Sequence, residues 1–257
     1  MKRHKENQSS RFFLFCFLLL LLPKISLSQE FVIGVEDVPY YPLFEFKSNR
    51  NTHTKELLNK FAASKGYKFT YLPLPIKRFD TWLLEDKIDF KYPDNARWYG
   101  DASLREKFTF SQSTIKLVAG TTVLKSSLKK DATAFKSLGT LLGFHPTTWI
   151  DKIEQGEVEL HEDRSTKILI KQLLEKHIDG IDLEPSVIRN YLTELGKSTE
   201  IAVIDKRYRY DVYDYHFSTI KYPEIIKEFD EFLSENKPLL EEMNKKYNII
   251  DYKPYLQ

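Results

Sequence analysis

The sequence predicts an α/β fold, and three observations carry that prediction. Short apolar runs fit for buried strands alternate with amphipathic stretches of helical period, and the alternation runs twice along the chain. The composition, 42% apolar and 30% charged over 257 residues, belongs to a globular protein able to bury a core. A single cysteine and the absence of a repeat exclude disulfide scaffolds and collagen-like chains.

The first series opens with 31–36 (FVIGVE), an apolar run that the proline and aromatic cluster 38–46 (VPYYPLFEF) stops. Residues 54–65 place Leu57, Leu58, Phe61 and Ala62 on one helical face, and Gly66 supplies a C-cap. Alternation over 67–74 predicts a second strand, and 77–87 a helix with Phe79, Trp82 and Leu83 inward. Residues 88–92 then form a third strand, closed by Pro93-Asp94-Asn95. Strand, helix, strand, helix, strand implies a parallel layer with right-handed crossovers.

Residues 114–124 read as one long strand, and the lysine-rich stretch Lys125–Thr133 as a lobe crossing. The second series begins at Leu138–Gly143, turns through Phe144–Thr148 and continues as a helix from Trp149 to about Glu154. Residues 165–177 are a stronger helix, 178–183 a strand, 186–195 a helix and 201–204 a strand. The stretch 208–217 (YRYDVYDYHF) alternates tyrosines with charges like a strand. Helices follow from Pro223, with Ile225, Ile226, Phe229, Phe232 and Leu233 on one face, and from Pro238 to Tyr247.

Ahead of all this, residues 1–28 read as a secretory signal. Five basic groups precede or flank the apolar run Phe12–Leu22, and Ser26 and Ser28 sit as signal peptidase prefers, so cleavage is expected after Ser28. Eleven apolar residues span only about 16 Å, half of a ~30 Å hydrocarbon layer, which argues against a retained anchor. Bulky Phe15 before Cys16 argues against lipid attachment. The remaining 229 residues carry 34 basic and 36 acidic groups and no cysteine. That near-neutral body lacks the basic surface that nucleic acid requires, and it offers no thiol nucleophile.

The order of elements resembles the type II periplasmic solute-binding fold, and local sequence resembles family 3 of the extracellular solute-binding proteins, which includes polar amino-acid binders of ABC importers. The opening 31–46 is similar to that family's first strand and Tyr-Pro-x-Phe-Glu-Phe loop, and 86–90 (DKIDF) to its Gly-Lys-Val-Asp-Leu step. Arg105–Ser111 (REKFTFS) resembles the turn leading to Phe-Ser, Leu138–Thr148 the Leu-x-Gly then Gly-Thr-Thr segment, and 178–184 (IDGIDLE) Val-Asp-Ala-Val-Val-Ala-Asp. Lys91–Asn95 (KYPDN) resembles a divergent subgroup. The resemblance implies a two-lobed fold, each lobe a mixed sheet flanked by helices, with 29–118 and 208–257 as lobe 1, 119–207 as lobe 2, and hinges through 114–124 and 205–217.

In such a fold a ligand sits between the lobes. Tyr40 and Tyr41 follow the first strand at the carboxyl edge where open α/β sheets bind ligands. A ligand carboxylate wants a guanidinium. The resemblance nominates Arg105, although its spacing to Phe110 is one residue short; Arg97, beyond Asp94 and Asn95 and beside Trp98, is the alternative. Thr147 and Thr148 precede the helix at Trp149, either capping it or opening its N-terminus to an anion, with Pro146 where the family has glycine. Glu184 falls where the resemblance places the acid for a ligand ammonium, and Asp182 shares its side of the strand unless it caps the next helix. Glu36, Asp37 and Asp94 are further acids at facing strand ends.

These residues predict an exported, periplasmic, monomeric binding protein, without cofactor or metal, that closes on an amino acid or related zwitterion and delivers it to an ABC permease. An enzyme on the same scaffold, such as a lyase or dehydratase using Glu184, and a sensor module are the alternatives. Neither hydrolase, zincin, phosphate-loop nor dinucleotide motifs occur, and the six histidines lack metal-ligand spacing, so catalysis is not expected.

Overall fold

The computed structural model of the chain describes residues 28–85 and 87–256, with the side chains of Phe79 and Asp80 outside the description. The expected signal segment, apart from Ser28, and Cys16 lie outside the described residues, as does Asp86. The elements in order are β1 (Glu30–Glu36), α1 (His53–Lys65), β2 (Lys68–Leu74), α2 (Trp82–Glu85), β3 (Phe90–Asp94), α3 (Ala102–Arg105), β4 (Thr109–Phe110) and β5 (Ile115–Ala119). The second group is β6 (Thr121–Leu124), β7 (Ser137–Leu141), α4 (Ile150–Glu154), β8 (Glu159–Asp163), α5 (Thr166–Leu174), β9 (Gly180–Asp182), α6 (Pro185–Glu194) and β10 (Ala202–Ile204). Then come β11 (Asp211–Thr219), α7 (Pro223–Glu235) and α8 (Lys237–Lys246).

Two mixed sheets result. In the first, the order is β2-β1-β3-β11-β4, with β1 parallel to β2 and β3, and β11 antiparallel to β3, β4 and also to β5. In the second, the order is β10-β6-β9-β7-β8, with β7 parallel to β8 and β9, and β6 antiparallel to β9 and β10. This is the two-lobed α/β architecture that the alternating series predicts. Among the described residues no helix is long and apolar enough to cross a membrane.

Three expectations are corrected. Residues 114–124 are not one strand, because β5 belongs to the first sheet and β6 to the second, and the chain passes between them at Gly120. A Cβ there would stand 3.0 Å from Ile204 Cγ2 and 3.3 Å from Tyr210 Cβ, so any larger residue would push the neighbouring crossing away by a few tenths of an ångström. The lysine-rich stretch is therefore already within the second lobe, where Lys125–Lys129 forms a 3-10 turn. The expected helix over 77–87 is a 3-10 segment, Ile76–Thr81, followed by the single turn α2, since Arg78 leaves helical geometry at φ −108°, ψ 16°.

The apolar periodicities locate the core. α1 buries Leu57, Leu58, Phe61 and Ala62 and ends on Gly66 in the left-handed region (φ 71°), as a C-cap requires. Phe61 meets Phe229 of α7 at 4.8 Å, and Phe90 of β3 stacks on Phe217 of β11 at 4.6 Å. The α7 face of Ile225, Ile226, Phe229, Phe232 and Leu233 is fully buried, at about 2 kcal/mol of hydrophobic stabilisation per side chain. In the second lobe α5 and α6 bury Leu169, Ile170, Leu173, Val187, Ile188 and Leu192.

The lobes are joined by more than the two crossings. The loop after β1 reaches the second lobe, where the Pro39 carbonyl accepts hydrogen bonds from Thr166 and Tyr191, each at 3.3 Å. Beyond α8, Tyr247 donates to Glu56 of α1 at 2.7 Å, and the Ile250 N–H then donates to Ser186 of α6 at 2.8 Å. Lys206 donates to the Pro254 carbonyl at 3.3 Å, and Tyr255 lies edge-on to Tyr210. The C-terminal segment thus spans both lobes beside the crossings.

Candidate functional site

The site lies where the loop after β1, the start of α6 and the strand β11 converge. β1 delivers Glu36 to its carboxyl end, and the chain then turns tightly, Tyr40 and Phe44 pairing through N–H···O bonds of 2.9 and 3.2 Å. That turn buries Tyr40 against Phe44 (5.2 Å) and against Phe144 of the second lobe (5.5 Å). The Tyr40 hydroxyl accepts the Glu184 N–H at 2.7 Å, so one phenol bridges the lobes. From β11, Tyr215 packs against Phe44, and Tyr213 lies edge-on to Tyr215 at 5.6 Å.

Three carboxyls share this space. Glu36 is 5% exposed, and its Oε2 is buried without a hydrogen-bond partner. Burial pushes its pKa up to about 8, against the pull of the Lys91 ammonium and reinforced by Asp94. Asp182, at the end of β9, receives no side-chain hydrogen bond among the described residues, and burial alone lifts it to about 7. Asp182 and Tyr213 are both partly exposed, and Asp182 acts on the Tyr213 phenol. Glu184 is also raised to about 7 by burial, in spite of its hydrogen bonds to Ser186 and Val187. All three acids act on the Tyr213 phenol, which burial and they together hold well above its ordinary value.

Of the two acids it is Glu184, not Asp182, that caps the following helix. Glu184 is the N-cap of α6, its carboxylate accepting the Ser186 and Val187 N–H groups at 2.7 and 3.1 Å and the Ser186 hydroxyl at 3.0 Å. Pro185 at N1 sets that geometry. Asp182, for which capping was one of two readings, does not cap it and accepts no side-chain hydrogen bond among the described residues.

The remaining expected site residues are placed as follows. Asp94 and Asn95 are buried structural groups: Asp94 accepts from Tyr99, Ser218 and the Asn95 N–H and pairs with Lys91 at 3.4 Å, while Asn95 donates to the Asp214 carbonyl at 2.7 Å. Arg97 is 62% exposed and ion-paired with Asp211, and Arg105 is exposed at the end of the single turn α3. Neither guanidinium is among the charges acting on Glu36 or Asp182. Tyr41 lies outward of Tyr40 beneath the Arg50 guanidinium, 3.2 Å from its ring centre. Asp37 is paired with Lys47 at 2.7 Å.

Thr147 and Thr148 do not cap a helix. The cap position of α4 is Trp149, without a side-chain cap bond, and the helix has only five residues. The Thr147 N–H is turned back onto the His145 carbonyl at 2.8 Å. Trp149 instead packs under the second sheet with Phe135 (4.6 Å) and Tyr208 (5.1 Å), lining a recess of about 150 Å³ with Lys136, Lys152 and Glu157. The residues that sequence reasoning missed are Tyr213, Tyr215 and Phe144. The alternation Tyr213-x-Tyr215-x-Phe217 was the available signal, because it places three rings on one face of the hinge strand.

Among the described residues no group of three or more His, Cys, Asp or Glu is arranged to hold a metal ion. The sequence matches no family model. No curated protein matches it. Solved structures do match. A substrate-binding protein of an ABC uptake transporter from Streptococcus pneumoniae with bound histidine superimposes with TM-score 0.66 at 18% identity, covering 85% of this chain and 92% of that one. A mutant of the arginine-binding protein ArgBP from T. maritima gives 0.63 at 15% identity, covering 85% and 94%. An ancestral amino-acid-binding protein described as a precursor of cyclohexadienyl dehydratase gives 0.64 at 14% identity, covering 85% and 95%. The chain has the type II periplasmic binding fold.

Proposed function

We propose that this protein is an exported solute-binding protein that encloses a small polar ligand bearing an ammonium group between lobes 29–118 with 208–257 and 119–207, bending at the two crossings. The observation that carries this reading is Glu36, whose buried Oε2 has no hydrogen-bond partner and whose carboxyl acts on the Tyr213 and Tyr215 phenols. An unpaired buried polar atom costs free energy unless something occupies the space beside it. The transporter substrate-binding protein of similar fold with bound histidine supports a solute-binding use of this fold. Delivery to an ABC permease, a periplasmic location and a monomeric state complete the reading.

An enzyme is the second reading. A scaffold of this fold is described as the precursor of a dehydratase, and carboxyls held at about 7 and 8 are suited to proton transfer. The test is a thermal-shift screen of the purified protein against amino acids, amines, sugars and organic acids, followed by product analysis. A binder gains about 2.7 kcal/mol at a ligand concentration of 100 times Kd. A shift without turnover is expected; turnover of any compound, or no shift with all of them, defeats the binding reading.

A further inference from the structure

We propose that the enclosed site selects an aliphatic amine or diamine without a carboxylate, rather than an α-amino acid; this rests on the solute-binding reading above and names the ligand's class. An α-amino acid needs two opposite anchors, an acid for its ammonium and a cation or free helix N-terminus for its carboxylate. The site has the first in excess. Glu36 Oε2 is buried with no partner, the Asp182 carboxyl accepts no hydrogen bond among the described residues, and Glu36 is less than one-tenth exposed. Glu36 acts on the Tyr213 and Tyr215 phenols, and Tyr215 continues through Phe44 and Tyr40 to Phe144 as a run of packed rings, whose faces attract an ammonium that has left water.

The second anchor is missing. Lys91 is engaged by Asp94 and Tyr99, and Arg97 is on the surface with Asp211. Arg105 and Arg189 are exposed. The N-terminus of α6 would suit a ligand carboxylate, but the chain's own Glu184 fills it with three hydrogen bonds. Among the described residues a ligand carboxylate would therefore meet Glu36 and Asp182, with only the already engaged Lys91 as a nearby positive charge. An ammonium, with three N–H donors, matches Glu36, Asp182 and a phenol oxygen.

The experiment is calorimetric titration of the unaltered protein with matched pairs: cadaverine and lysine, putrescine and ornithine, agmatine and arginine, with sugars and organic acids alongside. In at least one pair the amine is expected to bind tenfold or more tightly than its parent amino acid. Glu36→Gln and Asp182→Asn are each expected to weaken that amine at least tenfold, with unchanged far-ultraviolet circular dichroism. Tighter binding of the amino acid in every pair that binds, or binding of sugars or organic acids alone, overturns the inference and leaves the solute-binding reading standing. Amine binding unaffected by both substitutions also overturns it. No binding by any compound defeats both. The matched pairs need no variant, so a substitution that fails to fold does not decide the outcome.

Discussion

Glu36 and Asp94 end neighbouring parallel strands, β1 and β3, and both are buried, yet they have opposite surroundings. Asp94 is saturated by Tyr99, Ser218, the Asn95 N–H and Lys91, whereas one oxygen of Glu36 has nothing. The same contrast recurs in the second lobe, where Glu184 is filled by the N-terminus of α6 and Asp182, two residues earlier, is open. A saturated acid holds the fold and an unsaturated one waits for a partner. The two kinds alternate here within a few residues, so burial or position at a strand end does not tell them apart; the donor inventory does.

The contrast breaks most sharply at Asp94. Asp94→Ala leaves the Lys91 ammonium buried without its carboxylate, and a loss of about 3–5 kcal/mol in urea unfolding is expected. A loss below 1 kcal/mol would mean that Asp94 belongs with the open acids. Glu184→Ala removes the cap of α6 and is expected to cost about 1–2 kcal/mol.

The open acids predict the reverse sign. Glu36, raised to about 8, and Asp182, raised to about 7, keep protons that the unfolded chain has already released above its ordinary carboxylate values. The native state then binds more protons, so stability falls as pH rises toward 8 and levels off above it. Glu184 adds to the same trend. His53, buried and pushed down to about 4, acts in the opposite direction, but chiefly below its ordinary 6.5. Urea midpoints between pH 6.5 and 8 isolate the acids. The double variant Glu36→Gln, Asp182→Asn should flatten that slope without lowering stability, and an unchanged slope would refute the assignment.

The smallest effect is expected at Arg97. Its pair with Asp211 is on the surface, so Arg97→Ala should change stability by less than about 1 kcal/mol and leave amine affinity within twofold. A tenfold loss of affinity in calorimetry would return the guanidinium to the site.

The fold was legible because apolar periodicity reports which face is buried, and α1, α5, α6 and α7 follow it nearly residue for residue. Gly120 was not, since 114–124 reads as one β-rich run and only pairing partners reveal that its halves enter different sheets. Short β4 and β8 carry too little pattern to be seen. At the site, Tyr40 and the acids at strand ends could be named from order along the chain. Which acid would be capped could not, because Glu184 and Asp182 offer the same chemistry two residues apart and the backbone of α6 chooses between them. The arginines stay open for a related reason: a motif fixes proximity in sequence, whereas Arg97 and Arg105 are exposed on short helical segments whose direction the motif does not encode.

The C-terminal segment has a mechanical consequence. Two adjacent crossings define a single bending axis and leave twist about the long axis of the molecule weakly opposed. A third span, fastened by Ile250 to Ser186 and by Pro254 to Lys206, resists that twist. On the proposed solute-binding reading, that span favours bending at the crossings over twisting, and a fluorophore placed at Tyr255, edge-on to Tyr210, would report the movement.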